Sequence, residues 1–152
     1  MSKKRQEESI SVQLLSVCQG NAEAEARANL VKEELDRVGL VDSMIRSEEQ
    51  KRLNKVLHAT RAMDTGMRAI LDRYAVVPGQ KSMGGYLAEF RKGKNGCFAR
   101  LNGELSQRIQ DDVVEKRNIF MHAAGKYPTP AQTNRMLSDV NSYLQTIINL
   151  VE

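Results

Sequence analysis

Tryptophan is absent from this chain, and aromatic residues make up only 5% of it. Sandwiches and barrels rely on aromatic and β-branched residues to fill a pleated interior. Here Leu, Ile, Val, Met and Ala must fill the core, which suits helix packed on helix. Cysteine is scarce: Cys18 and Cys97 stand far apart. That excludes a zinc-finger spacing and a dense disulfide framework, and it predicts reduced thiols in a cytoplasmic protein. No apolar run approaches the ~18 residues that a membrane-spanning helix needs. The basic start, Met1-Ser2-Lys3-Lys4-Arg5, leads into Gln6, Glu7 and Glu8 rather than an apolar signal core, so secretion is not expected.

The 152 residues amount to one domain. A chain of this size buries roughly 70% of its unfolded surface and needs no metal or disulfide to hold a core. Hydrophobic residues at 41% and charged residues at 28% argue against disorder. The 23 basic and 19 acidic residues leave a net charge of +4, which permits nucleic-acid binding without demanding it.

Apolar periodicity predicts helices throughout. Residues 6–18 place Ile10, Leu14 and Val17 on one face, and Gly20 breaks the pattern. Asn21 is a cap for a second helix carrying Ala28, Val31, Leu35 and Val38, with Gly39 as its terminator. A third, long helix follows. Ser47 with Gln50 forms a capping box, although Asp42 is an earlier start, and the stripe from Leu53 to Tyr74 ends before Pro78 and Gly79. Residues 75–96 are irregular, with a short helix over 86–90 and a basic loop at Arg91, Lys92 and Lys94. That loop reads either as a phosphate contact or as a solvated turn. The fourth helix is expected from about Cys97 to near Met121, with Phe98, Leu101, Leu105, Ile109, Val113 and Phe120 on one face. The fifth starts at Thr129, Pro130 and Gln132 and carries Met136, Leu137, Val140, Tyr143, Leu144, Ile147, Ile148 and Val151. No segment alternates strictly, so no sheet is predicted.

Most candidate sites fail on chemistry. Pro78-Gly79-Gln80-Lys81-Ser82 lacks the first glycine and the Gly-Lys pair of a phosphate loop, and no strand precedes it. Asp111, Asp112 and Glu115 cluster, but no second acidic group completes a metal site. No cofactor is expected. Histidine, the side chain best suited to proton transfer near neutral pH, occurs only at His58 and His122. His122 closes the segment Arg117-Asn118-Ile119-Phe120-Met121-His122. Arg117 lies one turn after Val113, at the flank of the apolar stripe, where its guanidinium must find a partner. A phosphate serves, and so does an acid such as Asp112. On a straight helix, Arg117 and His122 lie about 140° apart.

Arg117, Asn118 and, four residues on, His122 resemble the R-x(4–6)-H motif of the HEPN family. The resemblance covers residues 41–152 and implies an all-α bundle of four to five helices, with residues 1–40 as an N-terminal helical extension. It also implies a homodimer, whose two copies bring both pairs to one cleft. Many members of that family are metal-independent ribonucleases in toxin–antitoxin, antiviral and RNA-processing systems. The implied chemistry makes His122 the proton-transfer group, Arg117 the phosphate ligand and Asn118 a positioning residue. Lys116 and Lys126 extend the RNA track, with an antitoxin or other regulatory protein as a further partner. Arg52 and His58 repeat the spacing, but within the early long helix, where the family does not usually place its motif. The family's toxins paired with a nucleotidyltransferase often carry Tyr two residues after His; Ala124 stands there, and Tyr127 comes later. The alternative is a non-catalytic helical module that binds a protein partner or nucleotide, or an adaptor that docks through its N-terminal helices.

Overall fold

The computed structural model describes residues 9–152, and every regular element among them is a helix. The basic N-terminal segment falls outside these residues, as do the first positions of the expected 6–18 helix. Short polar side chains set most of the starts. Ser9 opens α1 (Ile10–Cys18) by accepting from the Val12 amide, and Asn21 opens α2 (Ala22–Met44) by accepting from Ala24. Ser47 does the same for Gln50 at the start of α3 (Glu48–Arg73). Such caps satisfy amides that the first helical turn leaves unpaired. Ser82 caps α4 (Met83–Lys92) and Asn102 caps α5 (Gly103–Ile109). Thr129 and Gln132 form a full capping box with Pro130 in the first turn of α7 (Pro130–Asn149).

The central element is α3, which buries residues along its length, from Val56 to Leu71. It packs against α2 on one side and against α1 and α7 on others. Gly66 permits one of these approaches, since a Cβ there would come within 3.0 Å of Leu144 Cδ1 on α7. Leu14, Ala24, Ala28 and Val31 join the same apolar cluster as Met63, Met67, Val140 and Leu144. Position 40 lies inside α2; Ala24, Ala28 and Val31 before it join this core, and Val41 after it is buried apart from it.

Several boundaries differ from those read in the sequence: α4 spans Met83–Lys92 rather than 86–90, and α7 stops at Asn149, leaving Val151 in a β-bridge with Phe98. Gly39 does not end α2, which continues to Met44; open space surrounds it, Val41 is buried beyond it, and extended Ile45 makes the stop. The long helix ends at Arg73, five residues before Pro78, where Ala75 takes a positive φ of 56°. Residues 97–101 are not helical. Phe98 pairs with Lys94 and Val151 in isolated β-bridges, and it packs on Phe90 at a centroid distance of 5.2 Å. These long-range backbone bonds outcompete the weak helical preference of the segment.

The remaining helical run is interrupted from within. After α5, residues Gln110–Glu115 form a π-helical turn that passes directly into α6 (Lys116–His122). The wider turn places consecutive Val113 and Val114 in the core. It also advances everything downstream by about one residue, roughly 100° around the axis. The apolar stripe weakens as a result: Ile109 and Val113 are fully buried, but in α6 Phe120 packs against the core only partly buried, and no residue is fully buried.

Candidate functional site

The π turn decides which way α6 faces. Arg117, its second residue, turns inward. Its side chain is 24% exposed, and Nη1 lies 3.8 Å from Asp64 Oδ2 on α3 and 3.8 Å from the Met83 sulfur at the start of α4. The Asp64 contact is long, since a close charge-assisted hydrogen bond spans about 2.7–2.9 Å, and the Met83 sulfur is a weak acceptor. The Nε of Arg117 is buried with no hydrogen-bond partner. The acid it faces is Asp64 rather than Asp112, whose carboxylate accepts from the Tyr143 hydroxyl. Burial, reinforced by Asp112, pushes the Tyr143 phenol up to about 12.

Asp64 begins a string of charge along one face of α3, at spacings of four: Asp64, Arg68 and Asp72. Arg68 Nε donates to Asp72 at 3.1 Å, and its guanidinium sits 5.9 Å from the centre of the Tyr86 ring. Arg27 reaches over from α2 to the other oxygen of Asp72. Burial raises the Asp64 carboxyl above its ordinary range, and Arg117, Arg68 and Arg27 only partly offset it. Three arginines therefore surround two carboxylates, and Arg117 is the least well paired of the three. The four-residue spacing of Asp64, Arg68 and Asp72 was visible in the sequence as a charged helical face. What faced it was not.

The rest of the motif looks outward. Asn118 and His122 are exposed, and neither makes a hydrogen bond or ion pair among the described residues. His122 ends α6, so both ring nitrogens are open to solvent or a ligand. Arg117 and His122 thus share a helix and share no contact; the structure places them on different sides of it. Ile119 and Met121, interleaved with them, are 51% and 48% exposed. Lys116 is exposed and lines a cavity of about 200 Å³ against α7, beside Phe120, Arg135 and Met136. Lys126 is exposed in the following loop, just after Gly125 at φ 77°.

The segment beyond the motif is tied back to α3. Arg52 Nε donates to the Pro128 carbonyl at 2.7 Å, and Gln50 Nε2 donates to the Tyr127 hydroxyl at 3.1 Å. Arg52 is therefore occupied. So is His58, whose Nδ1 lies 2.7 Å from Glu34, a residue only 7% exposed. Both members of the second Arg–His spacing have structural partners, and both residues of the first are poorly paired or free. Asp111, from the acidic cluster, accepts from Gln107 at 2.9 Å. Among the described residues, no three His, Cys, Asp or Glu side chains gather as a metal-binding group. No helix of the described residues is long and apolar enough to cross a membrane. Comparison of the chain with protein-family models, curated proteins and solved structures found no match.

Proposed function

We propose that this chain is a HEPN-type endoribonuclease that cleaves RNA through its 2′-OH, using Arg117, Asn118 and His122 at a cleft that a second copy completes. One observation carries the reading. A half-buried guanidinium is held by nothing closer than 3.8 Å and keeps a buried Nε without a partner. Leaving such a group unsatisfied is costly. A phosphate accepts two parallel hydrogen bonds from the guanidinium fork and supplies the acceptor that the fold withholds.

His122 removes the proton from the 2′-OH, and that oxygen attacks the adjacent phosphorus. A P–O2′ bond forms, the P–O5′ bond breaks, and the proton passes to the leaving 5′ oxygen. Arg117 and the partner copy's environment offset the charge that builds on phosphorus, and Asn118 orients the phosphate. Lys116 and Lys126, both exposed, border the path. The step needs no metal or cofactor. Exposed Ile119 and Met121 support the second copy: they leave an apolar edge beside the motif, and such an edge gains from being covered. A toxin–antitoxin or antiviral setting, with a protein inhibitor covering the same edge, fits this reading.

The test is digestion of RNA in excess EDTA by the wild type and by His122→Ala. Wild type is expected to yield 2′,3′-cyclic phosphate and 5′-hydroxyl ends, with a dimeric mass by light scattering, and His122→Ala is expected to be inactive. Activity that vanishes with EDTA, or 3′-hydroxyl ends, overturns the mechanism; a strictly monomeric active enzyme overturns the shared cleft. A second reading, a helical module for a protein partner, has its own observation. Leu40 and Met44 are exposed beside a groove of about 500 Å³ at the end of α2. Absence of cleavage in both proteins favours it.

A further inference from the structure

The segment Arg91-Lys92-Gly93-Lys94-Asn95-Gly96-Cys97-Phe98-Ala99-Arg100 holds four cations and no acid. The backbone gathers Lys92, Lys94 and Arg100 around one cavity, while Arg91 faces α5. Gly93 turns the chain out of α4 at φ 67°, and the Lys94 and Phe98 amides exchange hydrogen bonds with each other's carbonyls at 3.1 Å. The Leu101 amide then donates to the Phe90 carbonyl at 2.8 Å, which lays Arg100 across Gly93. A Cβ on Gly93 would meet Arg100 Cγ at 2.8 Å, so the glycine is what lets the arginine lie there. The Ala99 amide donates to Leu150 and the Glu152 amide to Cys97, fastening the loop to the end of α7. The result is an ordered loop around a cavity of about 320 Å³, lined by Lys92, Lys94, Arg100 and a single acid, Glu152.

These cations are largely unspent. Arg91 and Arg100 are exposed and make no ion pair among the described residues. Lys92 pairs with Glu89 at 3.2 Å with its side chain 70% exposed, an arrangement worth little in water. Lys94 donates to the Tyr74 carbonyl, which neutralises none of its charge. The helix end accounts for part of this, since Arg91 and Lys92 complement the negative end of the α4 dipole. It does not account for Lys94 or Arg100, which lie beyond the helix.

We propose that this loop is a second binding site, one that takes the phosphodiester backbone of a single-stranded nucleic acid. Exposed cations around one cavity suit phosphates, which position a strand without specifying its sequence. The site connects to the motif through α4. Met83, at one end, touches Arg117, and Lys92, at the other, is part of the loop. Ten residues of helix separate them by about 15 Å, about four stacked nucleotides. That the same RNA strand visits both places rests on the cleavage reading; the phosphate chemistry of the loop does not.

The test is fluorescence anisotropy on the full chain with two labelled 12-mers, one of 2′-O-methyl RNA, which lacks a free 2′-OH, and one of DNA. Lys92→Gln/Arg100→Gln removes two of the charges that line the cavity and keeps part of each stem. Lys32→Gln/Arg46→Gln makes the same charge change on α2 and in its connection to α3. The loop variant is expected to bind at least about tenfold more weakly at low salt, with a log–log salt slope shallower by about 1.4, two phosphates' worth. The control pair should change neither. Tighter binding of the RNA oligomer identifies RNA as the source of the phosphates; equal binding shows that the backbone alone is read, and both support the site. No difference between the loop and control variants overturns it, and so does equally tight, loop-dependent binding of polyglutamate. Loop-dependent binding without cleavage of unmodified RNA leaves this site standing and removes the nuclease reading. Cleavage and binding untouched by the loop variant do the reverse.

Discussion

Replacing Arg117 with Met separates a ligand-binding arginine from a structural one. The gross attraction between unit charges 3.8 Å apart, as Arg117 and Asp64 are, is about 4 kcal/mol at an effective dielectric constant near 20. The net value is far smaller. Both side chains keep solvent contact, at 24% and 30% exposure. The Asp64 carboxyl stays raised despite three arginines nearby, so burial costs its charge more than those arginines return. Asp64 also retains Arg68 and Arg27 when Arg117 is gone. Met removes the unpartnered Nε and packs beside Met83 with similar length. Arg117→Met is therefore expected to change stability by less than about 1 kcal/mol, a melting shift of no more than about 4 °C for a domain of this size. RNA cleavage should fall at least about a hundredfold, as when a charge-stabilising donor is lost. Urea unfolding followed by circular dichroism, with cleavage rates on the same samples, measures both. Asp64→Asn and the double variant complete a cycle whose coupling should stay below about 1 kcal/mol. A loss above about 3 kcal/mol is the signature of a buried pair broken on one side. That result, or unchanged cleavage, refutes the assignment.

His58→Ala should leave cleavage per folded molecule unchanged, while costing about 1–3 kcal/mol in urea unfolding, because it removes the 2.7 Å hydrogen bond to nearly buried Glu34. A dead His58→Ala protein with normal stability would move the active site to the other motif. Burial works to raise the Glu34 carboxyl, but His58 and Arg61 outweigh it and hold the group below its ordinary range near 4.5. A depressed acid stabilises the fold above its unfolded value, and that contribution disappears as pH falls through the folded one. Glu34→Gln should thus be less stable than wild type at pH 7, with the gap closing below about pH 4; a constant gap across a pH series of thermal melts would contradict this. Gly85→Ala should destabilise by about 1–3 kcal/mol, although Ala is the better helix former. Its Cβ would sit 2.1 Å from the backbone oxygen of Gln80. A raised melting temperature would show that the loop yields freely.

What the amino-acid order determined alone was largely local. Ser47, Asn21, Thr129, Pro130 and Gln132 act within three or four residues of themselves, so the helix starts they set do not depend on the rest of the fold. The same holds for the apolar period of α3 and α7 and for the all-helical class, since a helix satisfies its own backbone. The proposed site residues Arg117, Asn118 and His122 were picked out by the scarcity of histidine and by their spacing. Tertiary structure decided the rest. Gly39 stays helical and Val41 is buried beyond it, and Phe98 leaves the helix because Val151 offers it a backbone partner. The π turn at Gln110–Glu115 has no propensity signature in the chain; packing both Val113 and Val114 goes with it, and it sets the inward face of Arg117. Asp64 lies fifty-three residues before Arg117, a distance at which no spacing rule connects them. Arg100 likewise comes to line one cavity with Lys92 and Lys94 only after Leu101 bonds to Phe90. A cap or a stripe needs only its neighbours, whereas a charge finds its partner only when distant helices fix how far apart the two can stand.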